Sequence, residues 1–149
     1  MKIRNGFVSN SSSSSFVIHK YYLSEEQIAK MFNYVEVVGE YLKDNPLPEK
    51  GYYDYDQPSP EYDFSYCDSS WSIKEFNDFI FGDTSMDNFS FFDFFRFIGI
   101  DDNNICWDDG YNDYPTEHQE YFLEEERKKV IKIIRKEKLD KLDNDELER

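Results

Sequence analysis

Apolar residues recur along this chain at two spacings, and each spacing predicts a different kind of element. Ile28, Met31, Phe32, Val35, Val38 and Leu42 stand three or four apart, on one face of a helix over about 25–43. Ser24-Glu25-Glu26-Gln27 ahead of them has the form of a capping box, and Asn45-Pro46 supplies the stop. The β-branched run at 34–38 keeps a strand open as an alternative there. Ser72-Ile73-Lys74-Glu75 has the same capping form. It predicts a second helix over 72–81, with Ile73, Phe76, Phe79 and Ile80 buried and Gly82 as the terminating residue. Residues 88–98 are apolar nearly all round, apart from a line of Ser90, Asp93 and Arg96, as expected of a helix central to a core. Thr116-Glu117-His118-Gln119 caps a last helix reaching at least Leu139, with Glu124–Lys128 and Glu125–Lys129 as candidate ion pairs one turn apart.

The other spacing is short and strand-like. Gly6-Phe7-Val8 and Phe16-Val17-Ile18-His19 flank a polar stretch ending in Ser11 to Ser15, which predicts a strand–loop–strand. The serines fit a flexible connector, a docking or modification segment, or an anion cradle with Arg4 and Lys20 beside it. Residues 45–70 and 100–114 are rich in Asp, Pro and Gly and are expected as long loops, with one short strand at 62–66. The expected fold is therefore α+β: three to four helices packed on a small antiparallel N-terminal β element, with long acidic loops. It forms one domain over 1–142, and the tail 143–149 frays as the apolar stripe fades.

Composition sharpens this picture at two points. Leu, Ile, Val and Phe make 38 of 149 residues, enough to place the chain among folded proteins despite its net charge of −15. The charge is also concentrated. Residues 51–115 carry fifteen acids against Lys74 and Arg96, and they hold 19 of the 28 aromatic residues. Such a field repels nucleic acid and anionic membranes and attracts basic surfaces. No apolar run is long enough for a membrane span, and the Asn/Ser stretch after Arg4 is no signal-peptide core, so the expected location is the cytoplasm. Cys67 and Cys106 are expected as two buried thiols rather than a secreted staple.

Catalytic and metal-binding patterns are weak. His19 ends an apolar run and His118 opens a helix, positions that suit structural or solvated histidines. Cys67 and Cys106 lie 39 residues apart and neither histidine has a paired spacing, which argues against zinc. The Asp-rich segment from Asp101 misses the calcium-loop register, since Ile105, Cys106 and Gly110 fall where oxygen ligands are needed. Asp101/Asp102 and Asp108/Asp109 would serve acid–base chemistry only at the right separation in space. No cofactor, no metal and no catalytic role are expected.

The first 18 residues, MKIRNGFVSNSSSSSFVI, resemble an N-terminal signature of small uncharacterised bacteriophage and prophage proteins. The resemblance covers about an eighth of the chain and implies a phage product acting in a bacterial cytoplasm; it carries no chemistry. Together with the charge, it leads to an acidic interaction protein that binds a basic surface of a host protein. In its narrowest form it imitates a nucleic-acid backbone and inhibits a host nucleic-acid-binding or defence enzyme. The candidate contact residues are Asp54, Asp56, Glu61, Asp63, Asp68, Asp101, Asp102, Asp108, Asp109 and Asp113. Asp78, Asp83 and Asp87 are further candidate parts of the mimic. A virion or assembly component, and an enzyme using a divalent metal on the Asp-rich loops, are the rival classes.

Overall fold

The computed structural model describes residues 13–47, 60–109 and 114–147. The fold is α+β: a four-stranded antiparallel sheet with helices on both faces. Ser14–His19 forms β1, Ser72–Glu75 β2, Phe79–Thr84 β3 and Ile105–Asp109 β4, in the order β2-β3-β1-β4. The helices are α1 (Glu25–Phe32), α2 (Tyr34–Asp44), α3 (Phe91–Phe97) and α4 (Glu117–Leu147).

β1 is the centre of the sheet. All six of its residues are buried, and both its edges are taken, one by β3 and one by β4. The Phe16–His19 run expected as a strand is β1, and its partners are β3 and β4. Gly6, Phe7 and Val8, expected as the other strand of that element, lie outside the described residues. The partners of Phe16–His19 come instead from some sixty to ninety residues down the chain, as non-local pairing that no short-range pattern announces.

Alternation along β1 divides the interior in two. Phe16 and Ile18 face α1, α2 and α3, where they join Ile80, Ile105, Met31, Tyr34, Val38 and the phenylalanines of α3. Val17 faces α4, with Phe79, Phe81, Cys106 and Leu123. The larger side is an aromatic cluster with Phe16 as its hub. The Phe16 ring stacks on Phe91 at 5.2 Å between centroids, meets Phe95 edge-on at 4.8 Å and Trp107 at 5.5 Å, and lies 5.7 Å from Trp71. Each such pair adds to the area term because the ring edge is positive and the face negative.

Gly82 makes this cluster possible. It stands opposite Phe16 in the β1–β3 register, and a Cβ there would come within 2.2 Å of the Phe16 ring. The glycine expected to stop a helix thus sits inside a strand, under a ring that needs its space. The predicted helix 72–81 is the hairpin β2–β3: Ser72 pairs with Asp83 and Glu75 with Ile80, and Phe76 N–H closes the turn on the Phe79 carbonyl. Ser-x-x-Glu caps a helix only when the backbone is helical, and the aromatic, β-branched run that follows favours the sheet.

Other expectations resolve as follows. Ser24 caps α1 with the reciprocal Gln27 bond, and Gln119 with Thr116 does the same for α4. The helix expected over 25–43 breaks at Asn33, whose side-chain amide donates to the Ala29 carbonyl. Across that break Met31, Tyr34 and Val38 are buried, while Phe32 and Val35, expected inside, are exposed. No strand forms at 62–66, although Phe64 is buried against Tyr41, Tyr62 and Phe97. The segment expected as a loop over 100–114 contains β4. α3 is the expected core helix, capped by the Ser90 hydroxyl and followed by Gly99 at φ 83°. Its polar line is buried at one point. Asp93 accepts from Arg96 and from the Asp63 N–H, tying the 60s segment to the helix. α4 remains helical to Leu147, past the point where its apolar stripe fades. Its lysines pair one residue closer than expected, Lys128 with Glu125 and Lys129 with Glu126.

Gly82→Ala is expected to destabilise the fold by about 1–3 kcal/mol, the usual cost of overpacking. Phe16→Leu in the same chain should make the loss less than additive. Urea unfolding of the two single variants and the double variant checks this; strict additivity would mean that the ring and the glycine are not coupled.

Candidate functional site

β4 is one outer strand of the sheet, and a cleft of about 440 Å³ lies along it. Ile105 and Trp107 point to the aromatic core while Cys106 and Asp108 point toward α4, so the strand presents both chemistries at its edge. The cleft is walled by Asp102, Asp108 and Asp109, with the Trp107 and Phe92 rings as its apolar lining. Ser14, Ile105 and His118 complete it. The two rings approach each other at 6.5 Å.

Three local devices place these groups. Asp101 caps a single 3-10 turn at Asp102–Asn104, its carboxylate accepting from the Asn103 N–H at 2.9 Å. That turn holds Asp102 out into solvent just before β4 begins. Asp108 is clamped: one carboxylate oxygen accepts from the Asp109 N–H and the other from the Thr116 hydroxyl, so the strand is tied to the first turn of α4. Gln119, fully buried, adds a second tie by donating to the Ser15 hydroxyl at 3.0 Å and to the Cys106 carbonyl. His118 follows from this clamp, since it lies between Thr116 and Gln119 on the same turn.

The ten acids singled out in the sequence separate into groups. Asp101, Asp102, Asp108 and Asp109 are brought together at β4. Glu61, Asp63 and Asp68 belong to the segment packed on α2 and α3. There Asp63 accepts from Ser65, and Asp68 accepts from the Ser70 N–H while its carbonyl accepts from Tyr34. Asp54, Asp56 and Asp113 lie outside the described residues. Asp78, Asp83 and Asp87 do not project as expected of a mimic: Asp78 is paired with Arg127, and Asp83 and Asp87 are buried. Ser14 donates to Asp87 at 2.7 Å, which commits its hydroxyl to a carboxylate rather than to a base. The residues missed from sequence were Trp107, Phe92, His118 and Ser14. The Ile105–Trp107 alternation was the available signal for the first of them.

Cys67 and Cys106 are free thiols, and burial pushes each up to about 11, so neither supplies a thiolate near neutrality. Among the described residues no three His, Cys, Asp or Glu side chains converge as metal ligands. None of the described helices is long and apolar enough to cross a membrane. No family model, curated protein or solved structure matches the chain.

A second polar cluster joins β1 to the middle of α4. His19 Nδ1 accepts from the Tyr21 N–H at 3.0 Å, and its Nε2 faces Asp78 at 3.9 Å. Asp78 holds Arg127 by two hydrogen bonds, and the Tyr22 hydroxyl donates to the buried Glu126 at 2.5 Å. Loss of hydration pushes the His19 pKa below its ordinary 6.5; Asp78 and Glu126 oppose the shift and Arg127 assists it. The Arg127 hydrogen bonds hold Asp78 below its ordinary 3.8. Both shifts act in one direction. A depressed His19 means the unfolded chain binds the extra proton, so its contribution is complete above 6.5 and declines as pH falls below it. The Asp78 contribution is lost lower, as pH falls below 3.8. Urea midpoints measured from pH 8 to pH 5 should therefore fall. His19→Asn, which keeps an acceptor for Tyr21 but cannot take up the proton, should flatten that limb; an unchanged slope would assign it to other groups.

Proposed function

We propose that this chain is an interaction protein that presents the β4 cleft to a basic surface of a protein partner. The observation that carries the reading is the pairing, in one cleft, of the exposed carboxylates of Asp102 and Asp109 with the half-buried rings of Trp107 and Phe92. Arg and Lys side chains suit such a place twice over. Their charge answers Asp102 and Asp109, and their cationic heads stack favourably on indole and phenyl faces. The net charge of −15 adds long-range steering, which raises the rate of encounter more than the final affinity.

Nucleic-acid mimicry is the narrower form of the same proposal. Duplex DNA carries about one charge per ~1.7 Å of axis, so a mimic needs many outward carboxylates on a stiff frame. The stiff aromatic frame supports it. Asp63, Asp78, Asp83, Asp87 and Asp93 count against a broad mimic surface, because they are buried or engaged within the fold. The basic-surface reading with its contact at β4 is the stronger one. A bacterial partner fits the phage origin implied by the N-terminal resemblance.

Association with a basic partner captured on the tagged chain should be fast and should weaken at least ~10-fold between about 50 and about 500 mM salt. Asp102→Asn with Asp109→Asn should slow association while leaving the melting temperature unchanged. Asp101 and Asp108 are poor choices, since each holds a backbone N–H. Binding that ignores both salt and the double variant would refute the proposal. Competition by duplex DNA for the same partner separates the mimic from a simple acidic contact.

A further inference from the structure

β1 ends in a 3-10 turn, Lys20–Tyr22, and His19 caps it. The cap is an imidazole nitrogen in place of the side-chain oxygen usual at such a position: Nδ1 accepts from the Tyr21 N–H at 3.0 Å. That bond fixes the tautomer. Nδ1 accepts only while it carries no proton, which leaves the ring proton on Nε2, 3.9 Å from Asp78. The turn in its place carries two successive tyrosines to α4. The Tyr22 hydroxyl donates to the buried Glu126, and the Tyr21 hydroxyl donates to Glu137 at 2.8 Å. The two carboxylates stand eleven residues apart on α4, ~16 Å along its axis at 1.5 Å per residue.

The His19 side chain is only 10% exposed. The charged groups facing it are Asp78 from the β2–β3 turn and Glu126 and Arg127 from α4. Phe79 stands opposite it on β3, the Tyr22 ring lies edge-on at 6.5 Å, and neighbouring Lys20 is held by Glu75. Arg127 keeps Asp78 ionised well below neutrality, while burial and Glu126 push Tyr22 up to about 12, so these partners keep their states as the ring changes. A second proton enters at Nδ1 and turns that atom from acceptor to donor. Two N–H groups then face each other where there was a hydrogen bond. The imidazolium is drawn toward the carboxylates of Asp78 and Glu126, and Glu126 is the one that holds Tyr22.

We propose that His19 is a proton-operated latch: neutral, it closes the 3-10 turn and holds Tyr21 and Tyr22 against α4; protonated, it opens the turn and frees both hydroxyls from Glu126 and Glu137. The Asp78–Arg127 pair keeps its charges and keeps α4 seated, so the opening is local and leaves the sheet intact. The direction follows from the proton count. Loss of hydration holds His19 below its ordinary 6.5 in the closed form, whereas the open form places the ring in water. The open form therefore binds the proton more tightly and gains as pH falls below 6.5.

Amide hydrogen exchange of the full chain, read residue by residue from pH 8 to pH 5 and divided by the rate of an unstructured chain at each pH, tests the latch. Protection of the Tyr21 N–H should fall at least ~10-fold over that range, while Val17 and Phe81 in the sheet keep theirs. The fall should share its midpoint with the His19 ring nitrogens, whose resonances at pH 8 should show Nδ1 bare and Nε2 protonated. The phenol-carbon resonances of Tyr21 and Tyr22 should move at the same midpoint. His19→Asn keeps an acceptor for Tyr21 and has no proton to gain, so it should hold Tyr21 protection down to pH 5. Tyr21 protection that survives to pH 5 in the unsubstituted chain, a fall shared by Val17 and Phe81, or a Tyr21 midpoint apart from that of the ring would each overturn the proposal. So would an equal fall in His19→Asn; the first three outcomes are read whether or not that variant folds.

Discussion

Phe16 lying across Gly82 is the contact from which the rest of the molecule is arranged. A strand that is buried on both faces and paired on both edges has no freedom to shift register, since a slip of one residue would exchange its two faces. Gly82 fixes which register is used, because only there does β3 leave room for the Phe16 ring. Once that ring is seated, Trp71, Phe91, Phe95 and Trp107 have a common centre, and the four come from three distant segments. The opposite face of the same strand is then committed to smaller groups, Val17 and Ser15, which suits the approach of a helix. α4 therefore owes its seat on the sheet to a packing decision made on the other side of it.

The acids of the chain obey two different constraints. A buried carboxylate must be met by donors or cations, and Asp93 shows the usual solution, with a guanidinium and a backbone N–H on its two oxygens. Asp78 and Asp108 are similar anchors, joining β-structure to α4 through Arg127 and Thr116. Breaking any of these would leave a charge or a donor stranded, so they are constrained by the fold rather than by a partner. Asp102 and Asp109 are exposed, and among the described residues their carboxylates hold no other group in place. The difference matters for reading acidic proteins generally: net charge says how strong the field is, but only placement says which carboxylates are available to be recognised.

What could be read from the sequence was local. The capping boxes at Ser24 and Thr116 were legible because their bonds span three residues and the following apolar spacing agrees with a helix. The same box at Ser72 misled, since the residues after Glu75 prefer a sheet whose neighbour, β1, lies more than fifty residues upstream. The break at Asn33 was missed for a related reason: the spacing of Phe32 and Val35 suited one continuous face, while the core reached for Tyr34 instead. β4 was hidden by its own chemistry. Two aspartates in five residues suggest a loop, and only burial of Ile105 and Cys106 against β1 outweighs them. Of the candidate contact acids, the four near β4 were legible as a cluster in sequence. The cleft around them was not, because Phe92 and His118 arrive from α3 and α4.

α4 links these separate features into one mechanical unit. Its first turn closes the β4 cleft through Thr116 and Gln119, and its middle is pinned to β1 by Arg127 and Glu126. Beyond Val130 it owes its helical state to no contact with the sheet, and charge pairs one turn apart on a helix are each worth only a few tenths of a kcal/mol. An exposed helix of that kind is marginal in water by itself. Continuity with an anchored turn removes the cost of nucleation, which is why the distal part can hold a defined stripe of apolar residues in solvent.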